Sequence, residues 1–544
     1  MKKHKLRKRV LIAVLVGILF VSYSFRSNFF EVAKQIEIYT TLFKELNMYY
    51  ISEINPAEIT NKAIKNTLKG LDPYTNFYNE QDVETAKIRR EGSYGGIGIS
   101  VYYVEKGIEI SSIFKGYSAD KAGLRAGDII VSVGNQSLKN MESAELSMFL
   151  KGTPGSKIIL EIVRQGTLLT KEVTRDKIVV NAVPFAEMID EETGYIALTR
   201  FNDEASSQVK KAYRKLKKEG MTKLIFDLRA NPGGSLLESI RISNFFLPKG
   251  KKIVSTRAKI KKWSTTYKSK NNPLDVAIPL VVLINERSAS AAEIVSGALQ
   301  DYDRAVIMGK RSFGKGLVQR YRKLTYGTQL KLTISKYYTP SGRCIQELDY
   351  ENRDAKTGKV PKFSDRGVHA FKTENGRTVF DGGGIMPDIE TKISIANAST
   401  AALLKTKAIF NFATHYFYEN PKIDRLADFS FKNSDFYKFT NYLKSDTTFV
   451  TLQESLFKKA FLASKGTTIS RAYPKIKAEL FDDKIIEISK NKALILTRIR
   501  TEILARFFYM EGVYQDRLRN DRMISEALVL LRNKDIYTRV LLNN

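Results

Sequence analysis

The chain has 544 residues, too many for one ordinary core, so two to four domains are expected. Apolar residues make up 43% and charged residues 27%, which excludes general disorder, and no repeated or Pro/Gly/Ser-rich stretch supports a solenoid. The net charge of +31 is spread along the chain beside acids with no recognisable reader motif, which argues against nucleic acid, and a single cysteine, Cys344, excludes an internal disulfide and a Cys-based zinc site.

Six basic residues, Lys2, Lys3, Lys5, Arg7, Lys8 and Arg9, precede an apolar run from Val10 to about Val21 that weakens toward Phe25 and ends at Arg26. This pattern reads as an export signal whose positive flank stays inside, placing everything after Arg26 outside the cytoplasm. The run is short for a spanning helix of about 20 residues. No small-x-small cleavage site follows it, so an uncleaved anchor is expected. From 30 to 71 apolar residues recur at helical spacing, among them Ile36, Leu42 and Leu46, then Ile59, Ala63 and Leu68, which predicts a helical hairpin with Pro56 opening the second helix.

Between about 94 and 175 short apolar runs are separated by glycine, predicting short strands at 95–101, 108–110, 129–133 and 158–163 and a helical turn over 118–124. After Asp176, strands at 194–198, 224–228 and 280–284 alternate with helices at 204–220, 235–247 and 290–300. Wholly apolar strands between helices predict a largely parallel sheet covered on both faces. From about Ala396 onward the pattern is helical and carries no catalytic motif.

Three segments carry chemistry. Asn285-Glu286-Arg287-Ser288-Ala289-Ser290-Ala291-Ala292-Glu293-Ile294 follows the strand ending at Ile284, where small residues let a hydroxyl stand clear of the backbone. The same residues also suit a plain helix cap. In Phe313-Gly314-Lys315-Gly316-Leu317-Val318-Gln319, glycines on both sides of the lysine let the backbone carry the ammonium inward. Burial lowers a lysine's proton affinity by as much as roughly 3 to 5 pKa units, and the neutral amine can act as general base toward serine, with Gln319 able to orient it. None of His4, His369 and His415 lies beside a candidate nucleophile, so a Ser-His-Asp arrangement is disfavoured. Lys315 as a phosphate contact is opposed by the absence of the P-loop pattern. Asp227-Leu228-Arg229-Ala230-Asn231-Pro232-Gly233-Gly234-Ser235 leaves a strand and opens a helix; its Gly233 and Gly234 amides can form one side of an oxyanion hole with Ala291 on the other, or serve only as a turn.

The glycine-rich segment around Gly95-Gly96-Ile97-Gly98-Ile99, with Ala-Gly-Leu-Arg-Ala-Gly-Asp-Ile-Ile at 122–130, resembles a PDZ domain. In such a domain the loop at 95–99 holds a terminal carboxylate and the ligand adds as a strand. In order, the helical segment, the PDZ-like segment and the three motifs resemble the carboxyl-terminal processing peptidases, or tail-specific proteases, over about 30–389. The resemblance implies a multidomain α+β and α/β chain: leader 1–29, N-terminal helical region 30–92, PDZ domain 93–176, a ClpP/crotonase-like serine protease core 177–394, and a helical C-terminal domain 395–544. It assigns the nucleophile to Ser290, the base to Lys315, the supporting residue to Gln319, and to Arg164 a regulatory coupling between ligand occupancy and active site, though a surface arginine serves equally. Ala292 and Cys344 stand where the family often has serine. No metal or organic cofactor is implied. Expected partners are protein substrates through their C-terminal tails and the membrane through the N-terminal segment, not nucleic acid; an adaptor protein and a homo-oligomer are left open. The alternative is a catalytically idle PDZ scaffold.

Overall fold

The computed structural model describes residues 29–141, 143–391, 395–420, 422–464 and 468–542, so the expected anchor lies outside the described residues. Among the described residues no helix is long and apolar enough to cross a membrane. The chain forms two compact units, one of residues up to 78 with 321–332, the other of 79–320 with 333–544. In the first lie two helices, α1 (29–49) and α2 (Pro56–Lys69), at the two positions where the sequence predicts them. Asn55 caps α2 by accepting the Ala57 and Glu58 amides, and Pro56 occupies the first turn, where its missing N–H is not needed. Strand β1 (Asn76–Tyr78) pairs antiparallel with 329–331.

The second unit begins with α3 (Glu80–Glu91), followed by β2 (Ser93–Gly96), β3 (Ile99–Val104), β4 (Gly107–Ile113), α4 (Ser118–Lys121), β5 (Ile129–Val133), β6 (Gln136–Ser137), α5 (Ser143–Leu150), β7 (Lys157–Arg164), β8 (Thr167–Thr174) and β9 (Asp176–Val179). The strand order β3-β4-β5-β7-β8 makes an antiparallel sheet whose edge is β3, and Ile108, Ile110, Ile130, Leu160 and Ile162 fill its core. The ribbon β2–β9, with Gly95 opposite Lys177, carries the chain in and out of this domain.

The α/β core comprises β10 (Phe185–Met188), β11 (Thr193–Ala197), α6 (Ala205–Lys218), β12 (Lys223–Asp227), α7 (Leu236–Phe246), β13 (Lys252–Ala258), β14 (Thr266–Lys268), β15 (Leu280–Ile284), α8 (Ala291–Asp301), β16 (Val306–Gly309), β17 (Leu317–Lys323), β18 (Gln329–Tyr338), β19 (Ala370–Lys372), β20 (Thr378–Phe380) and β21 (Ile389–Glu390). The main sheet runs β10-β11-β12-β15-β16-β21, parallel except for β10. Because side chains alternate across a strand, Leu280, Val282 and Ile284 face α6, α7 and α8 on one side, while Val281 and Leu283 face the other.

That other face is covered from the end of the chain. The remaining helices are α9 (Ala398–Leu403), α10 (Ala408–Glu419), α11 (Asp435–Tyr442), α12 (Leu452–Ala463), α13 (Thr468–Ser489), α14 (Lys492–Asn520), α15 (Arg522–Arg532) and α16 (Lys534–Leu542). Of these, α9, α10, α11, α13 and the first part of α14 share a core around Phe412, Phe439, Phe449, Ile488, Ile495 and Ile499, while α12 packs against α13. The second part of α14, with α15 and α16, packs on the main sheet through Tyr514, Met523, Ile524, Ala527, Leu531 and Tyr537. A kink at Tyr509, whose φ is 56° inside α14, separates the two parts. The tail helices thus share one hydrophobic core with strands more than a hundred residues upstream.

Candidate active site

Ser290 stands between β15 and α8, half-buried, in a left-handed backbone conformation with φ 55° and ψ −111°. A non-glycine residue in such a region costs about 1–3 kcal/mol and persists only where its surroundings over-determine it. Here they do: the Ala289 amide donates to the Asn231 carbonyl (2.9 Å), the Tyr337 hydroxyl donates to the Ser290 carbonyl (3.2 Å), and the Ser290 amide donates to Glu293 Oε2 (2.7 Å). The neighbouring Ser288 is fully buried and its hydroxyl donates to the Leu228 carbonyl, so it braces the turn.

Glu293, fully buried, joins the Ser290 segment to the Lys315 segment. Its Oε1 accepts the Ser312 hydroxyl (2.6 Å) and the Gly314 amide (2.7 Å), and its Oε2 accepts the Lys315 amide (2.9 Å) together with that of Ser290. The Ser290 and Lys315 amide nitrogens therefore lie within 5.6 Å of each other, the sum of their two bonds to one oxygen. Burial pushes the Glu293 carboxyl above its ordinary range, against the pull of the four donors. The lysine loop is pinned further by the Gly316 amide on Gln346 Oε1 (2.8 Å) and by the Gly314 carbonyl, which accepts the Glu347 amide (2.9 Å). Lys315 itself is half-buried. Gln319, on β17, donates to Thr333 Oγ1 of β18 (3.2 Å).

The third segment lies against the first. A Cβ on Gly233, where φ is 91°, would sit 2.7 Å from the Ala289 carbonyl oxygen and 2.9 Å from both the Ala291 nitrogen and Ser290 Cβ, which only glycine avoids. The Gly233 amide donates to Asn231 Oδ1 (2.9 Å). The Gly234 and Ala291 amides, by contrast, find no acceptor among the described residues; Ala291 directly follows Ser290, and Gly234 follows the glycine packed against it. The turn is anchored by Asp227. Burial raises its carboxyl, but the Arg229 guanidinium overrides this and holds it below the ordinary range; the Tyr195 hydroxyl also donates to it (2.7 Å).

At the PDZ-like domain, Tyr94, Gly96, Ile97, Gly98, Ile99, Val101, Tyr103, Ile108, Leu150 and Lys151 line a groove along edge strand β3. Gly95 and Gly96 belong to the β2–β9 ribbon, and Ile97 is buried. Lys151 has its proton affinity lowered, first by burial and then by the charge of Arg89. Arg164, at the end of β7, donates to both Asp128 oxygens (2.7 Å each) and to the Gly123 carbonyl (2.7 Å), all within the same domain. The helical segment also contacts this domain: Tyr509 donates to Asp120 (2.6 Å), Lys115 pairs with Glu511 (2.7 Å), and Tyr102 packs edge-on against Phe410.

Sequence reasoning assigned no role to Glu293, although the Ser290-x-x-Glu293 spacing at a helix start is the capping-box signal that places a carboxylate on the first residue's amide. Asn231, Ser312 and Tyr337 had no local signal, because their partners are distant in sequence.

Residues 192–351 match the model of peptidase family S41, 85–163 that of the PDZ domain, and 399–531 one described as probable PDZ-protease, C-terminal helical domain. A carboxy-terminal-processing protease of Bartonella bacilliformis is 34% identical over 321 residues, which are 58% of this chain and 73% of that relative. A probable CtpA-like serine protease of Staphylococcus aureus is 32% identical over 309 residues, 56% of this chain; the match spans 61% of the relative's length. Among solved structures, a photosystem II D1 C-terminal processing protease aligns with 25% identity over 66% of this chain and 88% of its own, at a TM-score of 0.37.

Proposed function

Because the chain belongs to the carboxy-terminal-processing proteases of peptidase family S41, we propose that it is a serine endopeptidase of the cell envelope that cuts proteins near their C-termini. The observation that carries this reading is the buried Glu293 carboxylate, which holds the Ser290 and Lys315 backbones on one oxygen.

In this reading, neutral Lys315 takes the Ser290 hydroxyl proton as Oγ attacks the scissile carbonyl carbon. The resulting oxyanion is received by the Gly234 and Ala291 amides. Collapse breaks the C–N bond, and the lysine ammonium gives its proton to the departing amine. Water, deprotonated by the same lysine, then hydrolyses the acyl-enzyme and restores the serine. Gln319 supports the base. The substrate tail adds as a strand along β3, its apolar side chains entering the groove lined by Ile99, Val101 and Leu150 and its carboxylate lying at the 96–99 turn near Lys151. The apolar run after the basic leader tethers the chain with its catalytic parts outside the cytoplasm.

The test compares the purified full-length chain with its Ser290→Ala and Lys315→Ala variants on an unstructured protein bearing an apolar C-terminus, with products read by mass spectrometry. Cleavage by the parent and its loss in both folded variants is expected. Equal behaviour of all three, with tail binding intact, would leave a PDZ scaffold instead.

A further inference from the structure

The turn that supplies Gly234 is held from an unexpected direction. Arg229 places Nε and Nη2 on Asp227 and directs Nη1 to Asp521 Oδ2 (2.7 Å). Asp521 lies between α14 and α15, outside the peptidase match at 192–351 and inside the helical match at 399–531. Its other oxygen, Oδ1, accepts the Met523 and Ile524 amides (2.9 and 3.3 Å) and so caps α15.

From Arg229 the main chain has little freedom before it reaches Ser290. Ala230 sits at φ 57°, a strained conformation for alanine, with its amide on Asn285 Oδ1 (2.8 Å). Asn231 is fully buried; it donates to the Leu198 carbonyl (2.7 Å), accepts the Gly233 amide, and accepts the Ala289 amide next to the nucleophile. A guanidinium released from one of its two carboxylates would let this strained turn relax, and the glycine amides would move with it.

We propose that Asp521 is a positioning residue for the reaction: through Arg229, the C-terminal helical segment sets the placement of the oxyanion-binding turn. This rests on the protease reading above. Its two oxygens do different jobs, so the jobs can be separated. Asp521→Asn and Asp521→Ser each keep an oxygen able to cap α15 but remove the charge facing Arg229. Ile524→Ala loosens the packing of α15 on the sheet while leaving Asp521 in place.

The experiment uses the full-length chain and three readouts: kcat and KM on a tailed substrate, thermal unfolding, and amide hydrogen exchange over 228–235. With Asp521→Asn, kcat is expected to fall about tenfold or more with KM within about twofold, the signature of an interaction made in the transition state. Exchange over 228–235 should quicken while the melting temperature stays near the parent's. Ile524→Ala should lower the melting temperature and keep kcat. The proposal is overturned if both Asp521 variants retain kcat and parent-like exchange, if Ile524→Ala loses kcat as fully as they do, or if neither Asp521 variant accumulates folded. Should the parent cut nothing, the protease reading fails by itself, and exchange over 228–235 alone decides whether Asp521 positions the turn.

Discussion

Replacing Glu293 by glutamine tests whether one carboxylate registers nucleophile and base. Four donors converge on the two oxygens of this fully buried side chain, those of Ser312 and Gly314 buried and those of Ser290 and Lys315 partly so. Glutamine keeps a single acceptor oxygen. Its least costly orientation turns the new NH2 toward Ser312 and Gly314, since the Ser312 hydroxyl can rotate and accept, whereas the Gly314 amide cannot. One buried donor is then left facing another, a loss of about 1–3 kcal/mol in unfolding free energy. The Ser290 and Lys315 amides keep an acceptor but lose its charge, which roughly halves those bonds. Small shifts of the reacting groups follow, so kcat is expected to fall by about tenfold to a hundredfold. The carboxyl's folded value lies above its ordinary 4.5, so the proton-bound form is favoured in the folded chain. That contribution is complete below the ordinary value and fades as pH rises through the raised one, so the parent's advantage over the variant shrinks on going from acid to neutral pH. Denaturant unfolding and steady-state cleavage read both quantities. Parent-like stability with parent-like kcat would refute the argument, and lost stability with unchanged kcat would confine Glu293 to a structural tie.

Three further outcomes are expected. Gly233→Ala must place a Cβ 2.7 Å from the Ala289 oxygen in a left-handed backbone, so it should lower stability by about 1–3 kcal/mol and abolish cleavage; a folded, active variant would show that the turn can move freely. Lys151 loses its proton more readily than an ordinary lysine, so affinity for a tail peptide should weaken as pH rises toward the alkaline range. Lys151→Met should bind about three- to tenfold more weakly at pH 7 and show a flat profile there, and parent-like titration calorimetry would remove Lys151 from carboxylate recognition. Burial and the bond to Asp120 push the Tyr509 hydroxyl up to about 12, and Tyr509→Phe should loosen the PDZ domain by about 1 kcal/mol, seen as faster exchange over α4; unchanged exchange would show the contact to be incidental.

The parallel sheet was legible because β12 and β15 are apolar at every interior position and each is followed by a helix, a pattern that burial on both faces explains. The sequence did not say what buries the second face. The residues that do so, from Tyr514 to Tyr537, have ordinary helical periodicity, and periodicity names a buried side without naming its partner. The site was legible in the same degree. Glycines flanking Lys315 and small residues around Ser290 mark tight turns, but the Glu293 tie between them is a tertiary contact. Gly233 and Gly234 look alike in sequence, and only the Asn231 side chain distinguishes the engaged amide from the open one. Arg164 ends a strand in a way that suits a surface or a signalling role, and its fork onto Asp128 joins residues 36 positions apart.

The placement of α15 and α16 bears on how the chain is made. Met523 follows Glu390 by 133 positions, so a ribosome finishes every strand of the catalytic sheet long before it delivers the helices that dry its outer face. During that interval the nascent chain carries Ile225, Val281, Leu283 and Met308 uncovered, a surface suited to chaperone capture and to aggregation. If Asp521 sets the glycine turn, the interval is also one in which Ser290 exists without that turn held in register.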